Sequence, residues 1–183
     1  MTAPSTQPEQ DLRYPIGRAD TKTPLADGER AQRIDSIAAL PAQLRKAVSG
    51  LTDAQLDTPY RPGGWTVRQV THHVADSHMN AFIRFRLGLT EENPTIKPYD
   101  ENAWSELPDT RHLPVEVSLN LLDSLHERLV HLLRSVPPSS FQRTIFHPEN
   151  GPMTLDALVS QYAWHGRHHT AHVTGLRQRL GWH

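Results

Sequence analysis

The sequence predicts an all-α protein, a four-helix bundle. Three observations carry that reading. Apolar residues recur at the helical period in four long segments, no segment alternates convincingly with period two, and threonines, prolines and glycines stand where helices would start and stop. Each such helix carries one apolar stripe, and four stripes are buried most economically against one another.

The elements follow in order. Residues 1–12 are polar and contain Pro, Ser and Gln, so a flexible N-terminal tail is expected there, with a single helical domain over 13–183. A first helix, about 29–49, is marked by Ile34, Ile37, Leu40 and Leu44, and Pro41 is expected to break or kink it. The cluster "PYRPGG" makes a turn, and Thr66 then caps a second helix reaching about Leu89. "TEENPTIKPYDENAW" holds two prolines and reads as an irregular connection. Pro114 opens a third helix, about 115–136, with Val117, Leu121, Leu125, Leu129 and Leu132 as its expected inner face, and Pro137-Pro138 closes it. "FHPENGPM" reads as a loop. Thr154 caps a last helix to about Leu180, where Gly181 stops it.

Composition excludes several classes of function. A net charge of -1 and a pI near 6.9 argue against a nucleic-acid surface. No apolar run is long enough to span a membrane, and the N-terminus lacks the apolar core of a secretory signal. With no cysteine, disulfides, thiol nucleophiles and thiolate-held zinc are all absent. A cytoplasmic enzyme or binding protein is the expectation.

The strongest chemical signal is "WHGRHHTAH" (164–172), four of the twelve histidines within nine residues. His165 with His169, and His168 with His172, are i,i+4 pairs that place two imidazoles within reach of one ion. On a helical wheel at about 100° per residue, the stripe of Leu155, Leu158, Tyr162, Val173, Leu176 and Leu180 is centred near His169, with His165 within roughly 60° of it. His168 points roughly 120° away, toward the rim. The wheel therefore directs His165 and His169 into the bundle, where metal sites are built. The plainer alternative is that these are core histidines satisfied by hydrogen bonds.

A zinc-type catalytic site wants three protein ligands and an open position. The third ligand should come from "WTVRQVTHHVADSHMNAF" (65–82), which offers His72, His73 and His78. The stripe of Val67, Val74, Ala75, Phe82 and Phe85 passes through His78, so periodicity alone selects His78. His73 lies on a neighbouring stripe and His72 faces elsewhere.

Several stretches resemble the YfiT-like subfamily of the DinB superfamily. They are "YPIGR", "GGWTVRQVTHHVADSHMNAFIRFRLGLTEENPTIKPYDENAW", "YAWHGRHHTAH" and "LGW", so the likeness runs from about Tyr14 to Trp182. The resemblance implies a four-helix bundle that holds one divalent ion per subunit, Zn2+ or else Ni2+, through three histidines. Its W-[ST]-x-R-x-x-x-x-H pattern falls on Trp65, Thr66, Arg68 and His73, which implies His73 as the first ligand, against the wheel. Its H-x-x-x-H pattern falls on His165 and His169, in agreement with the wheel.

The resemblance also implies a homodimer and an enzyme. The expected reaction is S-transfer of a low-molecular-weight thiol such as bacillithiol to a small electrophile. A metal-dependent hydrolase acting on an ester or amide is the alternative, and a non-catalytic metal-binding stress protein the second. Neutral imidazoles leave the ion its full charge, which acidifies a thiol or a water at the open position. With no cysteine in the chain, the sulfur would come from a cosubstrate.

Other residues have two readings each. Asp76 either orients an imidazole or is a solvated helix residue. Arg68 either binds an anionic thiol or orients substrate, or makes a surface ion pair. His168 is a candidate at the site's edge. Tyr99, Asp100 and Trp104, on the connection after the second helix, are placed at the site mouth. His147 either nears the metal or caps the next helix. Trp65 and Trp164 are read as packing residues, and His112, His126, His131 and His183 as surface ones.

Overall fold

The computed structural model describes residues 11–182, so most of the expected tail, and His183, lie outside the described residues. Four long helices form the bundle: α1 (Asp27–Val48), α3 (Val67–Thr90), α6 (Val115–Ser135) and α7 (Leu155–Leu180). Thr66 and Thr154 cap α3 and α7 by accepting from the amides of Gln69 and Ala157. Gly181 ends α7 in the left-handed conformation, φ 65°, which glycine adopts without a Cβ penalty. Major contacts join α1 to α6 and α7, and α3 to α6 and α7. Consecutive long helices α1 and α3 thus face each other across a diagonal, as do α6 and α7, which is why the connections between them are long.

Those connections hold structure that periodicity does not signal. Short helices α2 (Asp53–Leu56), α4 (Glu101–Ser105) and α5 (Pro108–His112), a 3-10 turn (Pro138–Gln142) and a hairpin of β1 (Thr144–His147) and β2 (Gly151–Thr154) fill them. The expected loop at "FHPENGPM" is therefore largely hairpin, pairing Thr144 with Thr154 and His147 with Gly151. Its strands have four residues each, too short to show alternation, and Pro152 is tolerated because β2 is an edge strand. The last four residues of the expected 90–104 connection fall in α4, opened by Asp100, whose carboxylate accepts from the amide of Ala103.

Two further expectations are corrected. Of the break or kink expected at Pro41, the break does not occur: helix α1 runs through that residue. Proline removes the amide that would bond the Ile37 carbonyl, and Nδ1 of His126 donates to that oxygen instead, at 2.8 Å. The inner face of α6 is Val115, Leu119, Leu122, His126, Leu129 and Leu133; Val117 and Leu121 are 51% and 40% exposed. Leucines lie nearly all round α6, so the sequence does not single out one stripe, and His126, expected at the surface, is in the core.

The core has two apolar clusters. One end holds Ile37, Phe85, Leu129, Ile145 and Leu158; the other holds Leu40, Leu44, Val70, Val74, Leu122 and Val173. Between them the bundle is crossed by buried histidines: His78 of α3, His126 of α6, and His165 and His169 of α7. A polar layer between apolar layers is costly unless its groups are paired or hold a ligand, so it marks the functional site.

Candidate metal centre

The three histidines of α3 diverge. His72 bonds α6, with Nδ1 2.7 Å from Ser118 Oγ and Nε2 3.2 Å from the Leu113 carbonyl. His73 turns toward α7, its Nε2 3.2 Å from Nε2 of His165. His78 lies behind His165, its Nε2 3.4 Å from Nδ1 of that ring. His73, His165 and His169 are brought together, with one ring nitrogen from each within 4.8 Å of the others. All three are buried. His78, the residue that the wheel selects, is not in the trio.

The donor set fits a divalent ion. Two nitrogens on a tetrahedral ion at zinc–imidazole distances stand about 3.3 Å apart, close to the 3.2 Å between His73 and His165. Nδ1 of His169 is fully buried and has no hydrogen-bond partner among the described residues. Burial pushes His73 down to about 4. It also holds His165 and His169 well below the usual histidine value, with repulsion from neighbouring rings adding to the effect. All three are neutral near pH 7, as ligands must be. Trp65 leans on His73 and stacks toward His169, ring centres 4.6 and 6.3 Å away, and limits their rotation.

The other pair faces elsewhere. His168 stacks on Trp164 at 4.2 Å, and His172 stacks on Tyr60 at 4.0 Å while its Nε2 donates to the Arg13 carbonyl. The stretch before α1 crosses α7 here, held also by Trp164 Nε1 donating to the Gly17 carbonyl. His168 is thus buried under this stretch rather than on an open rim.

A cleft of about 1190 Å³ opens beside the trio and has His165 in its wall. Ser77 and Arg84 of α3, Tyr99, Asp100 and Glu101, His147 and Glu149 of the hairpin, and Gln161 and Tyr162 of α7 line it. Tyr99 and Asp100 thus line the cleft; Trp104 packs on Tyr99, ring centres 4.4 Å apart, outside the lining. His147 lines the cleft and its Nδ1 accepts from the Glu149 amide, so it shapes the hairpin turn.

Asp76 is half-buried, and no hydrogen bond reaches its carboxylate among the described residues. Burial, with the nearby Asp109 charge, raises it to about 6. It does not orient a ring of the trio. Arg68 forks between Asp53 and Asp57 at 2.8 and 2.7 Å and donates to the Leu113 carbonyl. Its side chain is buried, and the ion pairs tie α2 and the α5–α6 junction to α3, away from the cleft.

Two residues of the cleft, Arg84 and Tyr162, are not singled out by the sequence. Arg84 donates to Tyr162 Oη at 2.9 Å, has no carboxylate within ion-pair range among the described residues, and has a buried Nε without a partner there. The available signal is an arginine inside the apolar run "AFIRF". Tyr162 reads from sequence as part of the apolar stripe. Burial raises Tyr162, and lifts Tyr99 to about 12, so both hydroxyls stay protonated.

Four helices around a buried three-histidine cluster at a cleft wall define the class: a helical bundle equipped for a divalent metal. The chain belongs to the DinB superfamily, whose family model matches residues 36–173. A Bacillus cereus relative named "Putative metal-dependent hydrolase" is 58% identical over 172 residues, covering 94% of this chain and 99% of the relative. A Bacillus mycoides relative of the same designation is 56% identical over 173 residues, again 94% and 99% of the two chains. Among solved structures, YfiT from Bacillus subtilis, described as a probable metal-dependent hydrolase with an unusual four-helix bundle topology, superposes with a TM-score of 0.92. It is 48% identical, over 94% of this chain and 99% of that one. The four-helix bundle protein TT2238 shares the fold at a TM-score of 0.55 and 21% identity, over 77% of this chain and 94% of that one.

Proposed function

We propose that this chain is a metal-dependent hydrolase with one divalent ion, Zn2+ before Ni2+, held by His73, His165 and His169. The observation that carries the reading is the convergence of three neutral, buried imidazoles, one of which, His165, is in the wall of a cleft, and the names of the similar proteins agree with it. A divalent ion on three neutral ligands supplies Lewis acidity and lowers the pKa of a water bound to it. The rest falls to the chain's own groups. His165, in the cleft wall, directs the reacting end of the substrate to the cluster. Tyr162 Oη accepts from Arg84 and interacts with Ser77, and it turns its hydroxyl to a substrate oxygen in the cleft. Arg84, lacking an acidic partner, favours a carboxylate or a polarised carbonyl. Leu158 and Tyr162, both buried in the cleft wall, keep bulk water from its inner end.

The thiol-transfer expectation would use the same cleft, but the names of the similar proteins support hydrolysis. The test is zinc-reconstituted protein on a panel of esters and amides, run beside bacillithiol and other thiols with a haloaromatic electrophile. Metal-dependent ester or amide cleavage is expected. Conjugation of thiol without hydrolysis would replace this reading with the transferase one. No metal-dependent turnover of either kind would favour the binding protein.

A homodimer is part of the proposal. Val117 and Leu121, exposed on one face of α6, support it.

A further inference from the structure

His78 and His126 are buried at 0% and 2% exposure, and the three-histidine cluster makes no use of either. Their hydrogen bonds have a direction. Pro41 leaves the Ile37 carbonyl without its helical amide. Nδ1 of His126 lies 2.8 Å from that oxygen, so it must carry the proton, and Nε2 of His126 is left as an acceptor. The His126 ring stacks on His78 with centres 4.8 Å apart. Nδ1 of His78 and Nε2 of His126 are both buried without a partner among the described residues. The stacked rings meet through their faces and make no hydrogen bond to each other. The ring nitrogen of His78 that has a partner among the described residues is Nε2, which faces Nδ1 of His165 at 3.4 Å. Tyr162 closes the other side of His78, edge-on at 5.3 Å.

We infer that His78 is a positioning residue for the metal centre: it accepts a hydrogen bond from Nδ1–H of His165 and so fixes that ring with the Nε2 lone pair turned toward His73 and the ion. His126, anchored on the carbonyl that Pro41 exposes, holds His78 in place. A histidine ligand is oriented by the bond that its other nitrogen makes. Here the partner is a neutral imidazole from a neighbouring helix, which adds no charge to the centre. The inference rests on the three-histidine metal site proposed above.

The test has two readouts, neither of which is activity. The first is Zn2+ affinity by competition with a chelating dye, for wild type, His78→Phe and His78→Gln. The second is the ring-nitrogen NMR pattern of His165 in metal-free protein. Phenylalanine keeps the bulk and removes the acceptor; glutamine restores an acceptor near the position of Nε2. Loss of such a partner costs about 10–100-fold in metal affinity, so His78→Phe should bind that much more weakly and His78→Gln should recover most of the loss. Metal-free wild type should show His165 protonated on Nδ1. Equal affinity of His78→Phe and wild type would overturn the inference, as would equal weakening in both variants. If His78→Phe fails to fold, the wild-type tautomer decides: a proton on Nε2 of His165 refutes the role. If wild type binds no Zn2+, the metal reading fails separately, and the tautomer still judges the hydrogen bond.

Discussion

Lowering the pH should destabilise the metal-free protein, and His126 gives the cleanest measure. Burial pushes this ring from the usual 6.5 to about 4, against opposing pulls from the Ile37 carbonyl and Asp123. The folded state therefore binds its proton later than the unfolded chain does. Stability from the neutral ring is complete above pH 6.5 and is lost as pH falls from there toward 4. With those two values the loss is about 2 kcal/mol at pH 5 and about 3 kcal/mol at pH 4. At a typical urea dependence, the pH 5 loss moves the midpoint by roughly 1 M. His126→Asn isolates the effect, because it keeps a donor for Ile37 but cannot titrate, and its cavity cost is the same at every pH. The assay is urea unfolding of both proteins in chelator at pH 7.5 and pH 5. Wild type should lose about 2 kcal/mol more than His126→Asn between the two. Parallel losses, within about 0.5 kcal/mol, would mean that the buried ring is not held neutral, and would refute the reasoning.

Three other outcomes are expected. A Cβ on Gly166 would stand 2.7 and 2.8 Å from the two δ carbons of Leu40, which is 1% exposed, so rotation of that side chain offers no relief. Gly166→Ala should cost about 1–2 kcal/mol once overpacking is set against the gain in helix propensity; a raised Tm would contradict it. Arg84→Gln should raise KM at least about 10-fold for a carboxylate-bearing ester and far less for its neutral analogue; equal effects on both would remove Arg84 from substrate binding. Sedimentation at micromolar concentration should show a dimer that Val117→Asp with Leu121→Asp converts to monomer, whereas a wild-type monomer would refute the assembly.

Much of the bundle is legible in sequence because helix ends are local. Thr66, Pro114, Thr154 and Gly181 act on amides and carbonyls within a few residues of themselves, and the boundaries of the helices they delimit fall where those residues place them. What stays hidden depends on distant partners. His126 reads as a surface residue until Ile37, 89 residues away, offers the carbonyl that Pro41 has freed. The leucines of α6 surround the helix, so only its packing between α1 and α3 selects the buried ones. At the site, the wheel separates His165 and His169 from the second pair because α7 has a definite apolar stripe. On α3 it selects His78, the ring behind the cluster, because Val67 to Ala75 are all buried, so periodicity cannot rank the faces of that half of the helix. The family pattern, not periodicity, points to His73. Arg84 stays hidden because an arginine between Ile83 and Phe85 looks like a side chain reaching for solvent.

The most direct test of the account is the amount of zinc retained per chain after dialysis, measured for wild type and for single alanine variants of His73, His165, His169, His168 and His172. Wild type should keep one equivalent. His73→Ala, His165→Ala and His169→Ala should each lose most of it, and His168→Ala and His172→Ala should keep it, since those rings face Trp164, Tyr60 and the stretch before α1. Full zinc in the first three variants, or an empty site in the last two alone, would contradict the three-histidine centre.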